Sequence, residues 1–325
     1  MHQQNAILRT PESAFAKLPD YPFAPHYMEV DGLRIHYVDE GSQNEKTIFL
    51  FHGQPSWSYL YRHMIPVFVE AGYRVIAPDL VGFGKSDKPV DPKAHTYKAH
   101  VDWMTEFVRK LGIKNAAAFL QDWGGMIGMR VLAEEPEWLS RLVVGNSVLP
   151  DAGGLAKVMM PLSMKLITFL SGKSTVDDFA KKKSFGTWSS YFHRSKKLEI
   201  GKMMQILTEK DLTDAEQSAY DAPFPDDRYY AGPRRMPQII AGQLGENRLA
   251  WKNVLEKWPH PVLTLFSDKD PFLAGQGYDA ELQKRFPGAS GQPHTTITEA
   301  SHFLQEDKSE EIAVKVLEWL AGTKY

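Results

Sequence analysis

The chain of 325 residues contains no cysteine. Disulfide bonds, thiolate nucleophiles and cysteine-ligated zinc sites are therefore excluded. No stretch approaches the roughly 20 apolar residues that a membrane-spanning helix needs, and residues 1–17 lack the apolar segment of a secretory signal peptide. We therefore expect a cytoplasmic location and no membrane partner, although a chain without cysteine also fits the periplasm.

An excess of charge of either sign is missing as well. The chain has 38 basic and 40 acidic residues, a formal net charge of −2, and its lysines and arginines are scattered. This pattern lacks the basic footprint of nucleic-acid binding, so we expect no nucleic-acid partner. The composition is that of an ordinary globular protein, and the length suits one large α/β domain with an insertion, or two domains.

Short apolar runs typical of strands alternate with helical patterns along most of the chain. The first thirty residues, rich in proline and aromatic residues, are predicted to form an arm packed on the body. Helical patterns include 100–111, 126–133 and a final helix at 312–320. Buried strands alternating with helices predict an α/β fold, with a mostly parallel central sheet covered on both faces. The strand-like runs are 33–38, 46–51, 73–77, 116–120, 142–144, 262–266 and 295–297.

The alternation breaks in a methionine- and lysine-rich stretch without a clear strand. It contains amphipathic helical segments at 154–170 and 199–207, and turn-forming residues mark both of its ends. We predict a helical cap domain of residues 151–235, inserted into a core domain of residues 1–150 and 236–325. A solvated decoration would give the same pattern. We favour a lid because the stretch leaves the sheet where ligands bind in open α/β folds.

One segment, residues 119–126, has the shape of a nucleophile elbow. An apolar strand leads into Gln121 and Asp122, two glycines follow at 124 and 125, and a helical pattern begins. The pattern is G-x-S-x-G with aspartate in place of serine. Such a turn lifts the side chain of Asp122 to the top of the sheet and aims backbone N–H groups at the reacting centre. The plainer interpretation, an N-cap aspartate, fits the segment when it is taken alone.

Three further segments decide between these interpretations. His52 and Gly53 follow an early strand. In proteins with a nucleophile elbow, the loop after such a strand supplies an oxyanion donor, and we assign that donor to the backbone N–H of Gln54. His52 itself is predicted to brace the loop. Of two aspartates after a late strand, Asp270 precedes a proline and is favoured over Asp268 as the catalytic acid.

The base is predicted to be His302, which lies between a strand and the final helix. Together with Asp122 and Asp270 it gives the chain order nucleophile, acid, histidine, which is the order of α/β-hydrolases.

Beyond these patterns, the sequence resembles the haloalkane dehalogenases, and within them the subfamily with two halide-binding tryptophans. The resemblance covers nearly the whole chain, including 52–62, 82–89, 121–125 and the tail around 301–303. In the predicted cap it extends to Phe185-Gly186-Thr187-Trp188 and to 219–226. A tryptophan after Asp122 combined with Phe-x-x-Trp in the cap is more specific than either motif alone.

The resemblance implies a role for each matching residue. Asp122 is expected to be the nucleophile, with Trp123 and Trp188 binding halide, Gln54 and Trp123 forming the oxyanion hole, and Phe185 and Gln54 lining the substrate pocket. Relatives carry glutamate or asparagine where this chain has Gln54, so the Gln54 amide could add to the halide contacts or replace that of Trp188. The strand before the cap ends in Asn146 rather than an acid, which supports Asp270.

The chemistry implied by the resemblance fits these residue types. A haloalkane has no carbonyl group, so a carboxylate, which is ionised at pH 7 without help from a base, displaces halide from saturated carbon. The resulting ester on Asp122 is then hydrolysed by water that His302 activates, while Asp270 orients the imidazole. Indole N–H groups donate without a competing acceptor and so suit a halide ion. The implied partners are a small haloalkane, water and halide, with no metal and no organic cofactor.

Two alternatives remain open at this point. An epoxide hydrolase shares the fold and the triad but needs cap tyrosines to protonate the epoxide oxygen; four are available at 191, 220, 229 and 230. A non-catalytic ligand-binding relative would lack a member of the triad, and no member is missing. The paired tryptophans favour an anionic leaving group, and therefore a hydrolytic dehalogenase.

Overall fold

The apolar runs of the sequence form a central eight-stranded sheet in the computed structural model, which describes residues 6–323. The strand order across the sheet is β10-β9-β8-β7-β4-β5-β3-β2. The strands are β1 (Ile7–Leu8), β2 (His26–Val30), β3 (Leu33–Glu40), β4 (Lys46–Phe51), β5 (Tyr73–Pro78), β6 (Lys88–Pro89), β7 (Ala116–Gln121), β8 (Leu139–Gly145), β9 (Val262–Ser267) and β10 (Thr295–Ile297).

The sheet is parallel from β5 to β10, whereas β2 and β3 are antiparallel to their neighbours. The inner strands β4, β7, β8 and β9 are buried almost throughout, as expected for a parallel sheet covered on both faces. The predicted fold class is therefore confirmed. The structure adds β2, which lies at the edge of the sheet within the predicted N-terminal arm, and a small ribbon in which β1 pairs with β6.

Helices cover the sheet and fill the long connection between β8 and β9. They are α1 (Met64–Glu70), α2 (Tyr97–Leu111), α3 (Asp122–Glu134), α4 (Ala156–Leu170), α5 (Val176–Lys182), α6 (Phe185–Arg194), α7 (Ile200–Ile206), α8 (Asp214–Asp221), α9 (Ala231–Ile239), α10 (Leu244–Asn253), α11 (Tyr278–Arg285), α12 (Leu304–Asp307) and α13 (Ser309–Gly322). Within residues 6–323, no helix is both long enough and apolar enough to cross a membrane.

The connection from 146 to 261 holds α4 to α10 and no strand. Its predicted cap boundary at residue 235 lies inside α9, which includes two prolines of the segment predicted as turn-rich. A buried ionic cluster joins these helices to the rest of the chain. Arg62 binds Glu306 of α12 and also binds Glu216 of α8 at 2.8 Å. The division into core and cap domains stays a prediction.

Candidate active site

Asp122 lies at the junction of β7 and α3 in a strained left-handed conformation, with φ of +51°. A non-glycine residue held there depends on close packing around it. A Cβ atom at Gly53 would lie 2.2 Å from Asp122 Oδ1, and one at Gly124 would lie 2.3 Å from the carbonyl oxygen of Phe51. Both positions therefore require glycine, because the loop and the helix approach each other too closely for a larger residue. This is the geometry of a nucleophile elbow.

His302 lies between two carboxylates that come from distant parts of the sequence. Its Nδ1 atom is 2.7 Å from Asp270 Oδ2, and its Nε2 atom is 3.5 Å from Asp122 Oδ2. The side chain of Asp270 is buried, and its Oδ1 atom accepts the backbone N–H groups of Phe272 at 2.8 Å and Leu273 at 3.2 Å. The loop after β9 thus fixes Asp270, and Asp270 in turn fixes the orientation of the imidazole.

The surroundings of His302 favour its protonated form. Burial alone lowers the pKa of the imidazole, but the charge of Asp270 and the hydrogen bond to Asp122 outweigh burial and raise the pKa to about 10. Two carboxylates share one imidazole, so the cation is stabilised from both sides. While the Asp122 carboxylate carries its charge, the protonated form of His302 is therefore favoured.

The backbone N–H of Gln54 donates to Asp122 Oδ1 at 2.7 Å. Trp123 stands at the start of α3, where backbone N–H groups lack acceptors within the helix. The side chain of Gln54 is buried, and its Nε2 donates to the carbonyl oxygen of Pro233 in α9 at 3.3 Å. One donor is thus aimed at the Asp122 carboxylate, while the amide group of Gln54 reaches the first turn of α9.

Asn146 connects the loops that carry Asp270 and His302, a role that was not predicted from the sequence. Its Nδ2 donates to Ser267 Oγ at 2.7 Å and to the carbonyl oxygen of His302 at 3.0 Å, and its Oδ1 accepts the Ser267 N–H at 2.9 Å. The only signal in the sequence was an amide at the end of an apolar strand. Asn146 therefore sets where the His302 loop sits relative to the sheet.

His52 and Asp268, which are not predicted to take part in the chemistry, form their hydrogen bonds within and between loops. His52 Nδ1 contacts the carbonyl oxygen of Gly53 at 2.9 Å, and its Nε2 accepts the N–H of Leu80 at 2.9 Å, so the ring joins two loops. Asp268 is exposed and accepts the N–H of Ala300 at 3.3 Å. The structure places neither side chain in the cavity wall.

An apolar cavity of about 350 Å³ opens directly above Asp122. Its wall includes every residue predicted for the site except the buried Asp270. Helix α6 contributes Phe185 and Trp188 from consecutive turns, and a capping box between Ser184 and Thr187 fixes the start of that helix. The predicted residues that line the cavity are Gln54, Asp122, Trp123, Phe185, Trp188 and His302.

The two tryptophans stand in the cavity wall with unused donors. Among residues 6–323, neither the Trp123 nor the Trp188 indole N–H has a protein acceptor, whereas Trp251 in the same wall donates to the carbonyl oxygen of Leu149 at 3.0 Å. Trp188 is held by the rings of Phe192 and other aromatic neighbours. Two N–H donors are thus available to a ligand beside a carboxylate. Over the same residues, no group of three or more histidine and acidic side chains could hold a metal ion.

Comparison with known proteins gives the family. A family model of the α/β-hydrolase fold matches residues 46–309. The haloalkane dehalogenase of Psychrobacter cryohalolentis is 41% identical over 97% of this chain and 98% of its own length. That of Mycolicibacterium paratuberculosis is 40% identical over 96% and 98%. The chain belongs to the haloalkane dehalogenase family. The tetrameric structure of a haloalkane dehalogenase from Paraglaciecola agarilytica NO2 has a TM-score of 0.77 and 30% identity, covering 98% of this chain and 99% of that one.

Membership of the haloalkane dehalogenases confirms the family, the fold and the enzyme class predicted from sequence, a hydrolase acting on carbon–halide bonds. The four tyrosines available to protonate an epoxide oxygen, at 191, 220, 229 and 230, are not in the cavity wall. Tyr191 accepts the N–H of Glu199 at 2.6 Å, Tyr220 donates to Glu306, and Tyr230 contacts the carbonyl oxygen of Leu198. The structure therefore gives no support to the epoxide alternative.

Proposed function

We propose that this dehalogenase hydrolyses small haloalkanes to an alcohol and a halide ion through a covalent ester on Asp122. The observation that carries the proposal is the pairing of a carboxylate with two unused indole N–H groups in one apolar cavity. The carboxylate supplies a nucleophile, and the two N–H groups can donate hydrogen bonds to the departing halide ion.

In the first step, an oxygen of Asp122 attacks the carbon that bears the halogen, and the carbon–halogen bond breaks with its electron pair going to the halide. Trp123 and Trp188 donate to the halide as its charge develops. The cavity wall is mostly apolar, so each of these donors is worth more to an anion than it would be in bulk water. An alkyl ester of Asp122 and a bound halide ion remain.

Formation of the ester changes the state of the base. The free carboxylate of Asp122 is one of the groups that raise the pKa of His302 to about 10. Alkylation removes that negative charge, so the pKa of His302 falls and the imidazolium loses its proton more readily. The neutral form of His302, which can act as a base, is therefore more populated once the ester has formed. The overall reaction releases one proton with each halide ion.

In the second step, neutral His302 takes a proton from water, whose oxygen attacks the carbonyl carbon of the ester. The oxyanion that forms is stabilised by the N–H of Gln54, which already lies 2.7 Å from Asp122 Oδ1, and by the N–H of Trp123. When the intermediate collapses, the alkoxide takes the proton from His302 and leaves as alcohol. Asp122 is left as a carboxylic acid, and it passes its proton to His302, which restores the carboxylate and the protonated imidazole. Asp270 orients the ring and stabilises its charge throughout.

The test separates the two steps. His302→Phe keeps the nucleophile and both indoles but removes the base, so we expect one halide per enzyme and then no turnover. Mass spectrometry of the intact variant after incubation with 1,2-dibromoethane should show a single added bromoethyl group. Asp122→Ala is the matched control, and it should release no halide and gain no mass. Turnover by Asp122→Ala within about tenfold of the wild type would refute the ester mechanism, because tenfold is far less than loss of a nucleophile costs.

A further inference from the structure

The outer side of α4 carries an apolar face that no part of residues 6–323 covers. Seven residues of the helix and its N-cap position are each 52–75% exposed. At 3.6 residues per turn they fall within about a third of the helix circumference. Single exposed apolar residues are common on protein surfaces, but a contiguous group marks an interaction site. We refer to this set as the outer α4 face: Leu155, Val158, Met159, Leu162, Leu166, Phe169 and Leu170.

The opposite side of α4 is already used within the molecule. Met160 and Met164 line the active-site cavity, and the buried Thr168 donates to Ser189 of α6 at 2.8 Å. The helix therefore stands as a thin wall, with the cavity on one side and solvent on the other. Packing among residues 6–323 therefore does not explain the outer α4 face.

Basic residues border the outer α4 face, and acidic residues are absent from this stretch of sequence. No aspartate or glutamate occurs from 152 to 176, whereas Lys165 and Lys173 do. A further lysine, Lys157, lies on the opposite side of α4 and pairs with Glu246 at 4.0 Å. The guanidinium of Arg194 lies 5.8 Å from the ring centre of Phe169. In the part of the chain that the structure describes, Lys165, Lys173 and Arg194 form no salt bridge. The border thus offers unpaired positive charge next to apolar surface.

This charge decides between possible occupants. A second copy of the chain would cover the apolar residues but would bring the same lysines against each other, with no carboxylate in the segment to pair them. An anionic lipid surface offers an apolar layer and negative headgroups together, as amphipathic helices with basic borders require. We propose that the outer α4 face binds the surface of an anionic lipid bilayer. This departs from the expectation of no membrane partner, which rested on the absence of a spanning segment.

Such binding would place the thin wall formed by Met160 and Met164 against the layer in which apolar molecules accumulate. Small haloalkanes are apolar, so the cavity would fill from the bilayer as well as from water. This consequence rests on the proposed function, whereas binding of the outer α4 face to lipid does not. The experiment therefore measures binding without substrate.

The wild-type protein is floated with vesicles of phosphatidylcholine alone or mixed with phosphatidylserine. We expect binding to the mixed vesicles, weaker binding to phosphatidylcholine alone, and loss of binding as salt screens the headgroups. Leu166→Asp places a charge in the outer α4 face and should reduce the bound fraction about tenfold or more, since it removes a buried leucine side chain from the contact. Lys165→Glu should weaken binding to the mixed vesicles only.

Matched controls carry the same changes elsewhere. Val314→Asp alters an exposed residue of α13, 42% exposed, and Lys17→Glu alters an exposed lysine; both should bind like the wild type. Halide release from a water-soluble haloalkane should be unchanged in Leu166→Asp, which shows that the variant is folded. Equal binding of Leu166→Asp and Val314→Asp, or no binding of wild type at low salt, would overturn the proposal. A wild-type dimer that Leu166→Asp converts to a monomer would overturn it in favour of a second copy.

Discussion

Replacing Trp188 by phenylalanine tests the halide site with little disturbance to packing. The indole ring of Trp188 lies 5.3 Å from the ring centre of Phe179, 4.6 Å from that of Phe192 and 5.7 Å from that of Phe272. A phenylalanine in its place can keep part of these contacts, so the aromatic cluster should persist. What the substitution deletes is the N–H, which has no acceptor among the described residues.

The magnitude follows from the number of donors. If Trp123 and Trp188 are the two donors to the leaving halide, Trp188→Phe removes one of them. The loss of one donor to a developing anion costs about 2.7–4 kcal/mol in comparable sites, or about 10²–10³ in rate. We expect the upper part of this range for chlorinated substrates and the lower part for brominated ones. Chloride is the poorer leaving group and depends more on stabilisation as its charge develops.

The assay compares halide release from matched chloro- and bromoalkanes, together with quenching of tryptophan fluorescence by added bromide. Trp251→Phe is the control, because it deletes an indole N–H from the same cavity wall, but one that serves the carbonyl oxygen of Leu149. Trp251→Phe should leave the affinity for bromide unchanged. If Trp188→Phe is silent in both assays while Gln54→Ala weakens halide binding, the amide of Gln54 is the second donor and the assignment of that role to Trp188 is refuted.

Three further predictions concern the site and its support. Gly53→Ala should lower the rate of halide release by about 10²-fold or more, because its Cβ would lie 2.2 Å from Asp122 Oδ1 and would displace the carboxylate. Gly322→Ala is the control, since nothing lies within 4 Å of its Cβ, and it should leave the rate unchanged. Arg62→Met should lower the free energy of unfolding in urea by about 3–5 kcal/mol, because the buried Glu306 loses its close cation and Lys210, 3.9 Å from Glu306 and 2.9 Å from Glu216, replaces only part of it. An unchanged unfolding midpoint would contradict this role of the cluster. The pKa of His302 is raised in the folded state to about 10 from an ordinary 6.5. Its contribution to the free energy of unfolding is therefore complete below pH 6.5 and is lost as the pH rises through 10. Over this pH range the free energy of unfolding should fall less in His302→Phe than in the wild type.

The sequence predicted the inner strands well because a strand that is buried on both faces is a continuous run of apolar residues. The run 46–51 became β4 with the same bounds, and 295–297 became β10. At the edge of the sheet this apolar pattern is weaker. β2 is buried only at Val30, so its residues do not form an apolar run, and the segment was predicted as an arm.

Helix ends were harder to predict where a helix contains proline. The sequence placed a turn-rich segment up to Pro237, yet α9 runs from Ala231 to Ile239 with that proline inside it. Pro233 falls in the first turn of α9, where a missing N–H costs nothing. Pro237 lacks the N–H that would bond the carbonyl oxygen of Pro233, and that oxygen accepts Gln54 Nε2 at 3.3 Å instead. Tertiary packing therefore overrode the local preference of proline.

The candidate site shows why motifs predict which residues meet but not what holds them together. Asp122, Asp270 and His302 could be chosen from sequence, because each follows a strand whose carboxyl end lies at the same edge of the sheet. Asn146 follows a strand in the same way, but its sequence context carries no motif. Its function depends on the distance between two loops, which only the folded chain defines. The lining of the cavity also depends on the folded chain. Trp188 and Phe185 reach the cavity from α6, whose start is fixed by the Ser184–Thr187 capping box. A shift of that start by one residue would turn the Trp188 indole by about 100° around the helix, away from Asp122.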